Sequence, residues 1–384
     1  MAPTPYAATR VPLSLFRSCL FLVALLGGCT AHAADQSVLP DAAARRRDAV
    51  SATQAAASGP DAELTYVTAL DADSRGRMYV ANMFQQSVTV LSPDGRVLRR
   101  IGRMGSGPGE FRGVRDVQVL PGDSLLVYDP QLARVTVFAA DSTRPAYSVN
   151  LADKLRGAPP FHLRRAPATG AYLAYFQARF AFGGGGLEVR RDSALLLNAD
   201  GSVRARIGAF APAPFLVAGT SVAPNPFGRR TLVRLDSRGR TLLVRTDSLG
   251  VRSYSPAGAA EGSFAYRYDP PPVTRADAGR ALEAMGEQGK QTFASVMDDS
   301  LPARWPAVGE LLVDDRDRVW INLAGPLDQP VEWAVFSPDG RYLRSVFLPP
   351  RTTLHAVRAG RAYADRVDAA GVPQVIVFGI RPEP

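Results

Sequence analysis

One pattern recurs along this chain and constrains its fold more than any other feature: a strand, a tight turn and a second strand. Its first occurrence is Val88-Thr-Val-Leu-Ser-Pro-Asp-Gly-Arg-Val-Leu-Arg-Arg-Ile-Gly102. β-Branched and other apolar residues on both sides of the turn favour strands. Within the turn, Pro93 presets φ, Asp94 can hydrogen-bond its own backbone, and Gly95 accepts the positive φ that closes a type I turn with a bulge. The segment is therefore predicted to be a β-hairpin.

The hairpin has five further counterparts, of which two are looser and the last is cut short by the C-terminus. They cover 135–142, 195–208, 251–258, 333–347 and 374–379. Equivalent apolar residues at Leu91, Phe138, Leu197, Tyr254, Phe336 and Phe378 are separated by 47, 59, 57, 82 and 42 residues. Such periods are typical of propeller blades. We therefore predict an all-β fold, a six-bladed β-propeller of four-stranded antiparallel blades over 61–384, with an insertion in the longest interval.

The insertion carries a helical signal. Thr274-Arg-Ala-Asp277 is a capping-box pattern, and Ala278, Ala281, Leu282 and Met285 follow it at helical spacing. A short helical insertion is therefore predicted around 274–298. Its apolar stripe favours a helix packed on the ring, and a lid over the central channel is the alternative. An earlier stretch, 212–226, is interpreted as a long loop between blades.

The last hairpin also makes a prediction about how the ring closes. Because 374–379 ends before a second strand, its blade needs a strand from elsewhere, and propellers commonly take one from the other terminus so that no sheet edge stays open. The segment 49–54 has weak strand character and is the candidate. The rest of the Ala-rich stretch 34–60 is predicted to be a flexible tether.

Residues 1–33 have the pattern of an export signal. Arg10 and Arg17 precede an apolar run that is too short to span a bilayer, and small residues follow. Two processing sites are open. Leu25-Leu-Gly-Gly-Cys29 resembles a bacterial lipobox with lipidation at Cys29, and Ala31-His-Ala33 resembles an ordinary cleavage site. The protein is therefore expected to be exported, either as an outer-membrane lipoprotein or as a periplasmic or secreted protein.

Composition argues against nucleic acid as a partner and against a disulfide within the mature chain. The formal charge is +9, but 43 of the 45 basic residues are arginine, and no continuous basic stripe with interleaved aromatic residues is present. Nucleic acid is therefore not expected as a partner. Both cysteines, Cys19 and Cys29, lie in the leader, so the mature chain has no intrachain disulfide.

Several segments resemble the NHL repeat, the module of a group of six-bladed propellers that is similar to the TolB-like family. The resemblance rests on Gly105-Ser-Gly-Pro-Gly-Glu-Phe111 and on the runs 117–120, 125–129 and 134–138 that follow it. Met78-Tyr-Val-Ala-Asn82 with Val88-Thr-Val-Leu91 looks like the preceding copy. The resemblance implies a six-bladed propeller with its binding site on the axis.

Candidate site residues are those expected near the axis, on first strands and in the loops after second strands. The selected set, for a small polar or anionic ligand, is Asn82, Asp129, Arg179, Asn322, His355 and Asp365, with Gln177, Thr246, Asp247 and Arg366 as neighbouring options. Asp and Asn are also the residues that turns require, so each has an alternative role in the turn itself. These side chains are predicted binding residues, and none is assigned to catalysis.

Two histidines, His162 and His355, fall on first strands of opposite blades. Some NHL-like enzymes hold an axial zinc with histidines from several blades. Two histidines fall short of a zinc set, although Asp365 can supply a third ligand. No metal or other cofactor is therefore expected, and structural roles are favoured for both histidines.

No nucleophile or metalloprotease motif is present. We therefore expect a binding or scaffold protein of the bacterial cell envelope that acts as a monomer. Its expected partner is an envelope protein, a glycan or a small polar ligand, and it meets the membrane only through the N-terminal lipid. The alternative is a lyase or hydrolase that uses the axial channel.

Overall fold

The first hairpin adopts the geometry that its sequence predicts. Ser87–Leu91 pairs antiparallel with Val97–Ile101, and the register shifts by one residue beside the turn, which is the expected bulge. Gly95 has φ 93°, and Gly340 in the matching turn of a later hairpin has the same value. In each turn the glycine N–H donates to the serine carbonyl three residues earlier at 2.9 Å. Repeated sequence therefore gives repeated geometry.

The computed structural model describes residues 37–380 except 156–158, 178–179, 184–185, 190, 213, 300 and 368–370. The N-terminal elements are β1 (Ser37–Val38), α1 (Ala42–Arg47) and β2 (Val50–Ala57). The first half of the ring contains β3 (Val67–Ala72), β4 (Met78–Asn82), β5 (Ser87–Leu91), β6 (Val97–Ile101), β7 (Asp116–Val119), β8 (Leu125–Asp129), β9 (Arg134–Phe138), β10 (Pro145–Asn150), α2 (Ala152–Leu155), β11 (His162–Arg165), β12 (Tyr172–Phe176), β13 (Phe180–Gly183), β14 (Gly186–Val189), β15 (Asp192–Leu197) and β16 (Val203–Phe210).

The second half contains β17 (Phe215–Ala218), β18 (Ser221–Pro224), β19 (Thr231–Leu235), β20 (Thr241–Arg245), β21 (Leu249–Tyr254), β22 (Ala260–Arg267), α3 (Arg275–Ala284), α4 (Gly286–Asp299), β23 (Glu310–Val313), β24 (Val319–Leu323), β25 (Val331–Phe336), β26 (Tyr342–Leu348), β27 (Thr352–Arg358), β28 (Arg361–Val367) and β29 (Pro373–Ile380). Short 3-10 turns lie at Pro60–Ala62, Met83–Gln85 and Pro121–Asp123.

These strands form the six-bladed β-propeller that the sequence predicts. Blades one to six begin with β3, β7, β11, β19, β23 and β27, and in blades one to five the strands lie side by side in chain order. Apolar clusters fill the space between neighbouring blades; one of them joins Tyr79 and Val90 of blade one to Val117 and Phe138 of blade two. Because both faces of a blade are covered, a central strand such as β4 is buried along its whole length.

The ring has two faces with different connections. Turns from first to second strands, and from third to fourth strands, lie on one side, which we call the turn face. Turns from second to third strands and the links between blades lie on the other side, the linker face. This separation follows from the antiparallel strand order.

The ring closes through the N-terminal segment. β2 pairs antiparallel with β29, from Ala52 opposite Ile380 to Ala57 opposite Ile376. It thereby supplies the fourth strand of blade six, and it overlaps the candidate segment 49–54. The Ser58 N–H extends the ladder by donating to the Val375 carbonyl at 2.8 Å. The truncated sixth hairpin therefore has its missing strand.

The described part of the predicted tether is ordered, which corrects the expectation of a flexible segment over 34–60. β1 pairs parallel with β22 of blade four, and the first two residues of β2 pair parallel with β26 of blade five. Between them, Arg45 of α1 forms a bidentate ion pair with Glu332 of blade five, at 2.6 and 3.2 Å. Composition could not show this, because the ordering contacts are made with blades that lie more than two hundred residues away in the chain.

The helical insertion is confirmed. Thr274 and Asp277 form the predicted capping box at the start of α3, and α4 follows. Their apolar sides share a core with the β17–β18 hairpin, Phe227 and Trp305. That hairpin lies within 212–226, where the sequence was interpreted as a loop. Because both insertions link successive blades, they lie on the linker face. In the described part of the chain, no helix has the length and apolar character needed to cross a membrane.

Replacing Arg45 with Ala is expected to lower the free energy of unfolding by about 3 kcal/mol, because Glu332 would be left buried without its cation. The two side chains are only 6% and 14% exposed. Arg47→Ala is the matched control, since Arg47 is 74% exposed and its pair with Asp48 spans 3.6 Å. It should change stability by less than about 0.5 kcal/mol. Urea unfolding followed by circular dichroism measures both values, and equal losses would contradict the structural role of Arg45.

Candidate functional site

A turn motif with aspartate at its first position and arginine at its fifth recurs between the first and second strands of three blades. The pairs are Asp73 with Arg77, Asp236 with Arg240, and Asp314 with Arg318. In each pair the carboxylate accepts hydrogen bonds from the backbone N–H and from Nε of the arginine, the latter at 2.6 Å. These aspartates are buried and saturated, so they hold the turns.

These turns and the ends of the first strands enclose a central cavity of about 870 Å³ that opens at the turn face. Every blade contributes, from Asp71 in blade one to Arg358 in blade six. Of the two expected locations of the axial site, the first strands contribute to this cavity, whereas the loops after second strands lie at the opposite face. A polar cavity of this size can accept a small-molecule ligand.

One ion pair in the cavity wall joins three blades. The Arg358 guanidinium donates to both carboxylate oxygens of Asp71 at 2.6 and 2.9 Å, and to the Val119 carbonyl at 3.0 Å. Asp71 in turn accepts the Val119 N–H at 2.8 Å. Burial acts to lower the pKa of Arg358, but the Asp71 charge and hydrogen bond outweigh burial and raise it. Arg358 and Asp71 therefore pair with each other within the cavity wall.

Two arginines at the end of β11 differ from the rest of the wall. Arg164 donates from Nη1 to the Val117 carbonyl at 2.8 Å, and Arg165 donates from Nε to the Gly170 carbonyl at 3.4 Å. The Gln118 amide fixes the backbone of Arg165 through bonds of 2.8 Å to its N–H and carbonyl. Within the described ranges, neither guanidinium has a carboxylate oxygen within the 4.0 Å of an ion pair. Neither guanidinium is therefore held in an ion pair with a described carboxylate, although the charge of Arg164 also acts on Asp116 from a greater distance.

Of the six selected binding residues, the structure brings His355 and Asp365 together, and only His355 of the two lines the cavity. β27 shifts register between Leu354 and Ala356, so His355 is the extra residue of a bulge. Bulges often re-aim a side chain. His355 lines the cavity, and its Nε2 lies 2.6 Å from Asp365 Oδ1. Arg179, like the proposed lipidation site Cys29, lies outside the described residues.

The other three selected residues lie at the linker ends of second strands and do not line the cavity. Asn82 donates to the Glu63 carbonyl at 3.2 Å, and Asn322 donates to the Glu332 carbonyl at 3.0 Å. Asp129 is fully buried and accepts four backbone N–H groups. Asp129 thus has the turn role that the sequence left as the alternative, whereas Asn82 and Asn322 hold neighbouring backbone segments. The sequence signal that was missed is the pair of arginines ending the first strand of blade three.

His162 does not share the cavity with His355. It lies at the start of β11, near the linker face, with Nδ1 2.9 Å from Asp116 Oδ1. Asp116 also accepts the Leu163 N–H at 2.9 Å. Burial acts to raise the pKa of Asp116, but the His162 charge and hydrogen bond, Arg164 and the Leu163 N–H lower it to about 2. Across the described residues, no group of three His, Cys, Asp or Glu side chains is arranged to hold a metal.

Asp116 makes a pH-dependent contribution to stability. Its pKa falls from an ordinary 3.8 to about 2 on folding, so the contribution is present above pH 3.8 and is lost as the pH falls towards 2. Asp116→Asn should therefore cost about 2 kcal/mol near pH 5, and the difference from wild type should shrink between about pH 4 and pH 2. Asp153→Asn, at an exposed site, is the control. Urea unfolding across this range is the measurement, and a constant difference would contradict the assignment.

Comparisons with known proteins agree with this architecture. A family model described as a 6-bladed beta-propeller matches residues 61–183, about a third of the chain, and the curated proteins give no match. A DUF4221-family structure from Bacteroides vulgatus is 8% identical, with a TM-score of 0.52, and the alignment covers 88% of this chain and 99% of that one. A Bacteroides fragilis protein described as exported is 11% identical (TM-score 0.48; 87% and 95% covered). The calcium-binding protein regucalcin of Agrobacterium tumefaciens is 14% identical (TM-score 0.44; 88% and 98% covered). At such identities the similarity concerns the fold alone.

Proposed function

We propose that the protein is an exported binding protein that holds a small anionic ligand in the central cavity. The observation that carries the proposal is the pair Arg164 and Arg165, whose guanidinium groups line the cavity without a carboxylate partner among the described residues. A guanidinium fork matches carboxylate and phosphate groups, and its hydrogen bonds are strongest away from bulk water. A ligand anion would give these two guanidinium groups the charged partner that no described carboxylate provides.

The carboxylates that line the same cavity do not oppose this proposal, because each is already engaged. Asp71 is paired with Arg358, and the three turn aspartates are paired within their own motif. Asp123 accepts from Ser74 N and Oγ at 2.9 and 2.6 Å, and Asp315 accepts the Ala359 N–H at 2.7 Å. Arg361 also lines the cavity without an ion pair among the described residues, so Arg164, Arg165 and Arg361 are the lining cations available to a ligand anion.

A second candidate function, catalysis of the lyase or hydrolase type, is favoured by one observation. His355 lines the same cavity and is oriented by Asp365 at 2.6 Å, an arrangement that suits a proton acceptor. The two functions differ in what His355→Ala does. If the protein only binds the anion, wild type shows no turnover and His355→Ala keeps the affinity for the anion. If the protein is a catalyst, His355→Ala loses the turnover of wild type and keeps the affinity.

Export is part of the proposal and rests on the leader at 1–33, with an anchor at Cys29 or cleavage after Ala33. The resemblance to NHL repeats is compatible with a periplasmic or envelope-bound binding protein. Mass spectrometry of the mature N-terminus, expressed in a bacterial host, distinguishes a lipidated cysteine from a free N-terminus at Ala34. An unprocessed N-terminus would contradict export.

The double variant Arg164→Ala, Arg165→Ala is expected to weaken anion binding at least tenfold, since a hydrogen bond to a charged group contributes about 1.5–3 kcal/mol. Calorimetric titration with inorganic phosphate, pyrophosphate and citrate is the measurement. The double variant Arg204→Ala, Arg206→Ala is the matched control, because it removes the same charge from an exposed outer strand. The proposal would be overturned if none of the three anions bound, or if both double variants weakened anion binding equally.

A further inference from the structure

Two aromatic side chains stand exposed on the linker face of blade one. Tyr66, just before β3, is 53% exposed, and Phe84, just after β4, is 68% exposed. Their ring centroids are 6.1 Å apart at an interplanar angle of 67°, an edge-to-face contact. Large apolar side chains that touch each other in solvent form a patch rather than isolated surface residues, and such patches mark interaction sites.

The backbone beneath these rings is held in place. The Glu63 carbonyl accepts from Asn82 Nδ2 at 3.2 Å and from Gln85 Nε2 at 2.8 Å, and the Met83 N–H donates to the Tyr66 carbonyl at 3.3 Å. Glu63 also adopts a left-handed φ of 49°, which is uncommon for a residue with a side chain. A rigid display of aromatic rings lowers the entropy lost on binding a partner.

A cation without an acidic partner continues the patch on the neighbouring blade. The Arg115 guanidinium carbon lies 3.7 Å from the ring centroid of Phe161, a stacked cation–π contact. Its Nε is buried and makes no hydrogen bond, and none of the ion pairs in the described part of the chain includes Arg115. Burial lowers the pKa of Arg115, against the opposing effects of Asp116 and Tyr66. A half-buried cation in this state is expected to gain from a carboxylate supplied from outside.

His162 completes the row, with its ring 4.7 Å from that of Phe161 in an edge contact. We call Phe84, Tyr66, Arg115, Phe161 and His162 the aromatic–arginine strip. It crosses the linker face from blade one to blade three, and none of its members lines the central cavity, which opens at the turn face. The strip is therefore a second site, independent of the proposed anion cavity.

We propose that the aromatic–arginine strip docks a segment of a partner protein that carries a carboxylate beside an aromatic or aliphatic side chain. Charge complementarity selects this chemistry. The carboxylates nearest the strip are already engaged, Asp116 with His162 at 2.9 Å and Glu63 with Arg100 at 2.7 Å. The partner's carboxylate pairs with Arg115, and its apolar side chain covers Tyr66 and Phe84. Tyr and Arg are also the residues that dominate binding energy at protein interfaces.

The test is a selection of random peptides displayed on phage against the mature protein, followed by fluorescence anisotropy with the enriched peptides. Enriched sequences should carry Asp or Glu next to an apolar residue. Phe84→Ala and Arg115→Ala should each weaken their binding at least tenfold, and Arg115→Lys should weaken it less than Arg115→Ala because the charge is kept. Tyr147→Ala, at a 45% exposed tyrosine on the outer strand of blade two, should leave binding unchanged.

Because Phe84 is exposed, its variant keeps the test valid if Arg115→Ala fails to fold. Arg164→Ala, Arg165→Ala should bind the peptides like wild type, which separates this proposal from the cavity. Failure to enrich acidic peptides would overturn the proposal. So would an unchanged peptide affinity in Phe84→Ala, or a loss of affinity in Tyr147→Ala as large as that in Phe84→Ala.

Discussion

The pairing of β2 with β29 is the interaction on which the rest of the structure depends. A blade has two apolar faces, and both are covered only if the ring is closed, since an open ring would expose one face of the first blade and one of the last. The backbone ladder from Ala52 to Ala57 supplies that closure. It also explains a further constraint on the first hairpin. A Cβ at Gly95 would overlap the Ala57 carbonyl oxygen, so the turn glycine is needed both for its φ and for its closeness to the closing strand.

The pairing of β2 with β29 closes the ring, and the residues that precede β2 reinforce this closure from outside the ring. β1 and α1 lie along blades four and five before β2 reaches blade six, and the Arg45–Glu332 pair fixes this path in a buried position. The N-terminal segment thus ties three consecutive blades together. A frame with this constraint can hold charged side chains in fixed positions, which flexible loops cannot do.

The two faces of the ring carry different chemistry for a topological reason. The turn face consists of short repeated turns in which three aspartates are paired with arginines of the same turn, and Arg164 and Arg165 line its cavity without such a pair. The linker face carries the longer connections, including α3, α4 and the β17–β18 hairpin, together with the exposed rings of Tyr66 and Phe84. The anion site and the docking site that we propose therefore lie at opposite ends of the ring.

Most strands of the blades, the turns with Gly95 and Gly340 and the capping box at Thr274 follow from the sequence alone, because each depends on residues within about ten positions of one another. The number of blades follows from the recurrence of the hairpin along the chain. Only the tertiary structure decided which charges are paired and where the cavity lies. Asp71 with Arg358, and Arg45 with Glu332, are both separated by 287 residues. No local pattern shows that these charges are held in ion pairs with described carboxylates while those of Arg164 and Arg165 are not. For the same reason Asn82 and Asp129, which have ligand-like side chains in sequence, proved to be buried parts of turns once their backbone partners were known.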